Sequence, residues 1–198
     1  MLRRISRVLR CGLPAALLFV ALQVPAAKIA EQTFDDRIRL ADTDLVLNGL
    51  GVRGVLIYKG YAAGLYLPAK VRSTAQVLAQ PGAKRLQLRM LIDVPAKEFV
   101  KAIDVGMKRN HTESEHAALK ERIDRFDSVV QAVGTVKKGD VVDLDFLPAS
   151  GLSLIINGAS RGEPIPGADL YAGVLKIFIG DLPVDKKLKA GLLGATPP

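Results

Sequence analysis

Cysteine is almost missing from this chain of 198 residues; Cys11 is the only one. It lies in an N-terminal segment that reads as removable. The remaining domain is therefore expected to hold no disulfide, no thiol nucleophile and no cysteine metal ligand. Cys11 also precedes the apolar run of that segment, where a lipid-acylated cysteine would follow one. Histidine is nearly as scarce. His111 and His116 are five positions apart, do not fit H-E-x-x-H, and share their stretch with Glu113 and Glu115. That spacing makes the two rings diverge on a helix, so no metal site is expected. The acids suit the positive end of a helix dipole instead. No G-x-S-x-G elbow is present, which leaves serine-type acyl chemistry without its nucleophile turn. There is no internal repeat and no low-complexity tract, and beyond the N-terminus no apolar run is long enough to cross a bilayer.

What is there begins with the N-terminus. Arg3, Arg4, Arg7 and Arg10 make a positive start, Leu13 to Leu22 a short apolar run, and Val24-Pro25-Ala26-Ala27 a small-residue end. This is the pattern of a secretory signal peptide, and the run is short for a spanning helix. The expected organisation is a signal peptide over 1–27 and one domain over 28–198, periplasmic or secreted. Retention of the segment as an anchor is the alternative. Cleavage removes four arginines and no acid, so the formal charge of +8 falls by half. Such an excess is too mild to indicate nucleic-acid binding. The mature length, about 170 residues, suffices for an ordinary packed core.

Taken in order, residues 28–43 suggest a strand through Phe34, Ile38 and Leu40, and Asp44 to Leu47 a second, ended by an Asn48-Gly49 turn. Val55 to Leu67 reads as one or two strands interrupted by Gly60 and Gly64 and closed by Pro68. Ser73 is placed to cap a short helix over 74–79. Leu86, Leu88 and Met90 alternate as a strand. A helix opens after Asp93 and Pro95, with Phe99, Ile103 and Met107 on one stripe. The clearest helix follows: Thr112 and Glu115 have capping-box spacing, and Leu119, Ile123, Phe126, Val130 and Val133 recur by fours and threes. Three strands then form a meander over 140–165, its second hairpin marked by Asn157-Gly158 and its end by Pro164, Pro166 and Gly167. Asp169 to Ile179 is apolar on most faces, as in a buried helix, and Asp185 caps a last one over 186–193. Hairpins with interspersed helices imply an α+β arrangement, an antiparallel sheet with helices on one face.

The stretch Asn48 to Pro68, NGLGVRGVLIYKGYAAGLYLP, concentrates the unusual residues. Gly49 to Gly54 spells G-x-G-x-x-G. A dinucleotide fold needs a helix after the last glycine and an acid about twenty positions on. β-Branched residues follow here, and Lys70 to Thr74 offers no acid, so no nucleotide cofactor is expected. Arg53 stands among these glycines, facing either a pocket or solvent. An inward guanidinium suits a carboxylate, and a tyrosine hydroxyl can add a donor.

Two separated motifs carry a resemblance. Gly51-Val52-Arg53-Gly54, with Ala62-Ala63-Gly64-Leu65-Tyr66-Leu67 after an intervening strand, resembles the Gly-x-Arg-Gly and Ala-x-Gly-x-Tyr-Leu signature of the chalcone isomerase family. Val174 to Asp181, with Leu188-Lys189 and Leu192-Leu193-Gly194, resembles that family's C-terminal helix, Gly-Asp and final Leu-Lys pattern. With the signal peptide, the chain is similar to the exported bacterial chalcone isomerase-like branch. The resemblance implies an open-faced β-sandwich, a large antiparallel sheet with helices on one side and a cleft between. It also implies site positions. Arg53 matches the substrate-holding arginine of the isomerase. Tyr61 stands where the enzyme has threonine, Phe99 where it has tyrosine, Gly106 at or near its asparagine, and Ile177 where it has a second threonine.

These replacements make the pocket more apolar. They favour burial of a hydrocarbon over stabilisation of a migrating proton. An arginine–tyrosine pair at these positions resembles the fatty-acid-binding members of the superfamily. The expectation is a non-catalytic binder of a fatty acid or similar apolar carboxylate. Arg53 and Tyr61 would hold the head, and Phe99, Ile103, Gly106 and Ile177 would line the site, without metal or other cofactor. One alternative is an isomerase or lyase of a small aromatic or enone substrate, with Arg53 polarising a carbonyl and Tyr61 donating a proton. Another is an envelope scaffold or partner-binding protein with an unoccupied cleft.

Overall fold

Alternation of apolar residues along seven strands builds the frame on which everything else rests. The computed structural model describes residues 26–55 and 58–195. Residues 1–25, which hold most of the expected signal peptide, lie outside the described residues. In chain order the elements are β1 (Ala26–Ile29), β2 (Gln32–Asp35), β3 (Arg37–Leu40), β4 (Thr43–Val55), β5 (Tyr58–Leu67), α1 (Thr74–Ala79), β6 (Lys84–Met90) and β7 (Val94–Pro95). Then come α2 (Ala96–Asn110), α3 (Glu113–Gln131), β8 (Thr135–Val136), β9 (Val141–Leu147), β10 (Gly151–Ile156), β11 (Ala159–Ile165), α4 (Ala168–Ile179) and α5 (Lys186–Leu192). The main sheet is antiparallel throughout, in the order β11-β10-β9-β6-β5-β4-β3.

The helices lie on one face of it. There Leu65, Leu86, Leu88, Leu144 and Leu154 from the strands meet Met107, Ile123, Phe126, Leu175 and Leu188 from α2 to α5 in one buried cluster. Burial of each such side chain stabilises the fold by roughly 1.5–3 kcal/mol. The opposite face carries a smaller core of Phe34, Leu45, Leu47, Ala62 and Tyr66. Phe34 comes from the β1–β2 hairpin and lies over Gly64, where a Cβ would stand 2.8 Å from its ring. Farther along that face Arg85 forks onto Asp145 with two bonds of 2.6 Å, and Gln87 donates to Asp143 at 2.8 Å.

Local signals place the helix ends. Ser73 accepts from the Gln76 amide, the Thr112–Glu115 capping box is complete, and Asp185 accepts from the Lys187 and Leu188 amides. Asn157 and Gly158 both have positive φ, as a two-residue hairpin turn requires.

Several expectations are corrected. Residues 28–43 are not one strand; Ala30 and Glu31 turn β1 back onto β2 with φ of 48° and 60°. Asn48-Gly49 is not a turn. β4 runs straight through it for 13 residues, and the pairing with β5 shifts there by one position. Gly60 and Gly64 do not interrupt β5, which runs through both. The Gly60 carbonyl accepts from the Leu91 amide, and Gly64 pairs with Leu50 on one side and Gln87 on the other. Pro164 lies inside β11 rather than ending it, which an edge strand tolerates.

Candidate functional site

The site is set by the shift at Asn48. Along a regular strand Arg53 would share a face with Leu45 and Leu47, the outer face. Asn48 is the extra residue of a β-bulge. Leu47 pairs with Tyr66, and the next pair is Gly49 with Leu65. The insertion reverses the alternation, so Gly49, Gly51 and Arg53 point to the helical side.

The bulge is held from both ends of its side chain. Asn48 Nδ2 donates to the Leu192 carbonyl at 2.7 Å, and its Oδ1 accepts from the Val71 amide at 2.8 Å. Gly49 and Gly51 then receive α5. A Cβ on Gly51 would stand 2.8 Å from the Leu188 carbonyl oxygen, and one on Gly191 of the helix would collide with the Leu50 carbonyl oxygen. The G-x-G pattern is thus a helix seat on a strand, with backbone against backbone.

Two pairs farther on, Arg53 sits directly opposite Tyr61. The guanidinium carbon is 5.9 Å from the ring centroid, within reach of a cation–π contact. Tyr61 is buried, which pushes its hydroxyl up to about 12, with the charge of Arg53 opposing the rise. It therefore stays a neutral hydrogen-bond donor at ordinary pH. No carboxylate among the described residues pairs with Arg53 within 4.0 Å.

Among the described residues, Arg53 and Tyr61 are the two polar ones lining a cavity of about 60 Å³ between sheet and helices. Phe99, Ile103 and Ile177 line it as well, from α2 and α4. Gly106 does not. It lines an adjoining open depression of about 300 Å³, where a Cβ would stand 2.7 Å from Ile177 Cγ2. Its small size lets α2 and α4 approach. Arg53, Ala102, Ile177 and Val184 border both spaces, so the depression is the mouth of the cavity.

Sequence reasoning missed the far wall. Val142, Leu144, Leu154 and Ile156 of β9 and β10, with Phe126 and Val130 of α3, enclose the inner end. Their alternation and helical spacing mark them as inward-facing, and nothing local separates cavity wall from core. His111 is also accounted for: its Nδ1 lies 2.9 Å from the Met107 carbonyl, at the end of α2.

A family model described as chalcone isomerase-like matches residues 26–194. The chain belongs to the chalcone isomerase-like family. No curated protein matches it in sequence. Among solved structures it is similar to a fatty-acid binding protein of Arabidopsis thaliana, with 17% identity, a TM-score of 0.64, and coverage of 85% of this chain and 96% of that one. The chalcone isomerase-like fold explains the common frame, a large antiparallel sheet with helices over one face. Within it, Arg53 and Tyr61 are the polar groups that the described residues bring to the cavity.

Proposed function

We propose that this chain is an exported, non-catalytic binder of an apolar carboxylate such as a fatty acid. The observation that carries the reading is the pairing of Arg53, at the mouth, with Tyr61, buried inside a cavity whose other described walls are hydrocarbon. A guanidinium without a carboxylate partner, beside a neutral phenol, supplies donors for two carboxylate oxygens. Each methylene buried behind them adds about 0.8 kcal/mol. The structural similarity to a fatty-acid binding protein supports the same reading. Export is supported by the signal-peptide pattern of residues 1–27.

The size of the cavity refines the ligand. About 60 Å³ admits only a short tail; a water needs roughly 10–15 Å³ of such space. A longer chain requires Phe99 and Ile103, both only half-buried, to turn aside. The reading favours short and medium chains.

Catalysis has less support. Among the described residues no Asp, Glu, His or Lys lines the cavity. Tyr61, held near 12, is a poor proton-transfer group at neutral pH, where an effective acid or base titrates close to the working pH. Native mass spectrometry with a series of fatty acids, on the parent chain and on Arg53→Ala, tests the proposal. Retention by the parent alone is expected, strongest for the shorter acids. Equal retention by both forms removes the head-group role.

A further inference from the structure

Six residues of α2 are exposed: Lys97, Glu98, Lys101, Val105, Lys108 and Arg109. Their spacing places all six on one outward face of the helix. Four are cations and one is an acid, on a domain whose excess of base is modest throughout. The exposed face of α3 differs, since Glu113, Glu115, Glu121 and Asp124 there outnumber Lys120 and Arg125.

The α2 face also carries apolar groups in the open. Val105 is 43% exposed, and Leu182, in the loop before α5, is 57% exposed. Leu182 is not a loose loop residue. Its amide donates to Asn110 Oδ1 at 3.1 Å, and its carbonyl accepts from Asn110 Nδ2 at 3.0 Å. Asn110 is the last residue of α2, so the helix itself fixes Leu182 in place. Val105 and Leu182 both line the open depression that contains Arg53 and leads to the cavity.

We propose that this face docks on an anionic lipid surface, with the mouth of the cavity turned toward the bilayer. The chemistry matches on both counts. Lysine and arginine cations are attracted to anionic head groups, and two fixed aliphatic side chains reach into the boundary between head groups and acyl chains. A protein partner fits less well. A stable protein interface is built around a buried core in which aromatic anchors are common, and this face presents no aromatic side chain. Docking goes beyond the ligand reading and does not depend on it. If both hold, an acyl ligand enters from the bilayer through the depression beside Arg53.

The test is co-sedimentation of the chain from Ala26 onward, which contains the whole sheet and both cores, with two kinds of vesicle. One is phosphatidylcholine alone, the other a mixture of phosphatidylcholine and phosphatidylglycerol. Binding to the mixed vesicles only is expected, and it should disappear as salt is raised to about 0.5 M. Reversal of Lys97, Lys101, Lys108 and Arg109 to Glu should weaken binding more than about tenfold. The same charge change placed elsewhere, by Lys28→Glu, Lys70→Glu, Lys138→Glu and Arg161→Glu, should leave most of it. A second variant, Val105→Ser with Leu182→Ser, keeps every charge and should reduce retention on the mixed vesicles. Equal losses in the two charge-reversed forms, or no binding by the parent, would overturn the proposal. Circular dichroism confirms that each variant is folded.

Discussion

Arg53 and Tyr61 face each other across β4 and β5, the guanidinium carbon 5.9 Å from the ring centroid, at the one polar corner of an otherwise apolar cavity. If the pair grips a carboxylate, its two members should contribute unequally. Arg53→Ala removes a charged partner and should weaken binding of a short fatty acid by roughly 10–100-fold. Tyr61→Phe removes one neutral hydrogen bond and should cost about 2–10-fold. Isothermal titration calorimetry of both variants reads the ratio, and a larger loss for Tyr61→Phe would argue against the assignment of roles.

The seat of α5 on β4 should be intolerant of a single methyl group. Gly191→Ala drives a Cβ into the Leu50 carbonyl and should destabilise the domain by about 1–3 kcal/mol in urea unfolding. Ala190→Gly, next to it on the exposed side of the same helix, should cost only about 1 kcal/mol or less. A reversed order would mean that the helix does not approach the strand this closely.

Asn48 should matter beyond its size. Asn48→Ala leaves the Val71 amide and the Leu192 carbonyl without their partner and should cost about 2–4 kcal/mol. The same variant should impair carboxylate binding, since Arg53 depends on the bulge for its direction. Intact binding with normal stability would show that the bulge persists without its side chain.

On the outer face, Arg85→Met breaks the fork onto Asp145 and strands two buried carboxylates, Asp143 among them. Burial already holds the carboxyl of Asp143 above the usual range. A loss of roughly 3–5 kcal/mol is expected in denaturant unfolding, and most of it should return below about pH 4, where carboxylates are neutral.

Asp127 should make the fold more stable in mild acid. Partial burial, with Asp104 and Asp124 nearby, raises its carboxyl to about 7, and Lys120 opposes this only in part. The folded state then holds this proton more tightly than the unfolded chain, so stability declines as pH rises from about 4 to 7. Asp127→Asn should remove that decline. The gain at pH 8 should be about 1 kcal/mol, after allowance for its half-exposed position, with little change at pH 4. Thermal unfolding at the two pH values distinguishes this from a uniform shift.

Much of this architecture is legible in the order of the amino acids. The Thr112–Glu115 box, the Ser73 and Asp185 caps and the Asn157-Gly158 hairpin are local, because each depends on bonds between residues within a few positions. The separated motifs around Arg53 and Val174 to Gly194 point to the family and to its layered sheet. Arg53, Tyr61, Phe99, Ile103 and Ile177 all reach one cavity. Gly106 lies beside it, since a glycine at a helix crossing reads the same as one at a binding site.

What the residues alone determined, then, is the helices with their caps, the Asn157-Gly158 hairpin and the family they belong to, as propensity, capping and periodicity are short-range. What only the tertiary structure decided is the meaning of Gly49-Leu50-Gly51 and the direction of Arg53. Counting by twos along β4 puts Arg53 on the wrong side of the sheet. The correct side follows from one inserted residue, Asn48, whose anchors Val71 and Leu192 lie 23 and 144 positions away. Strand register is a property of paired chains, and no pattern within β4 could supply it.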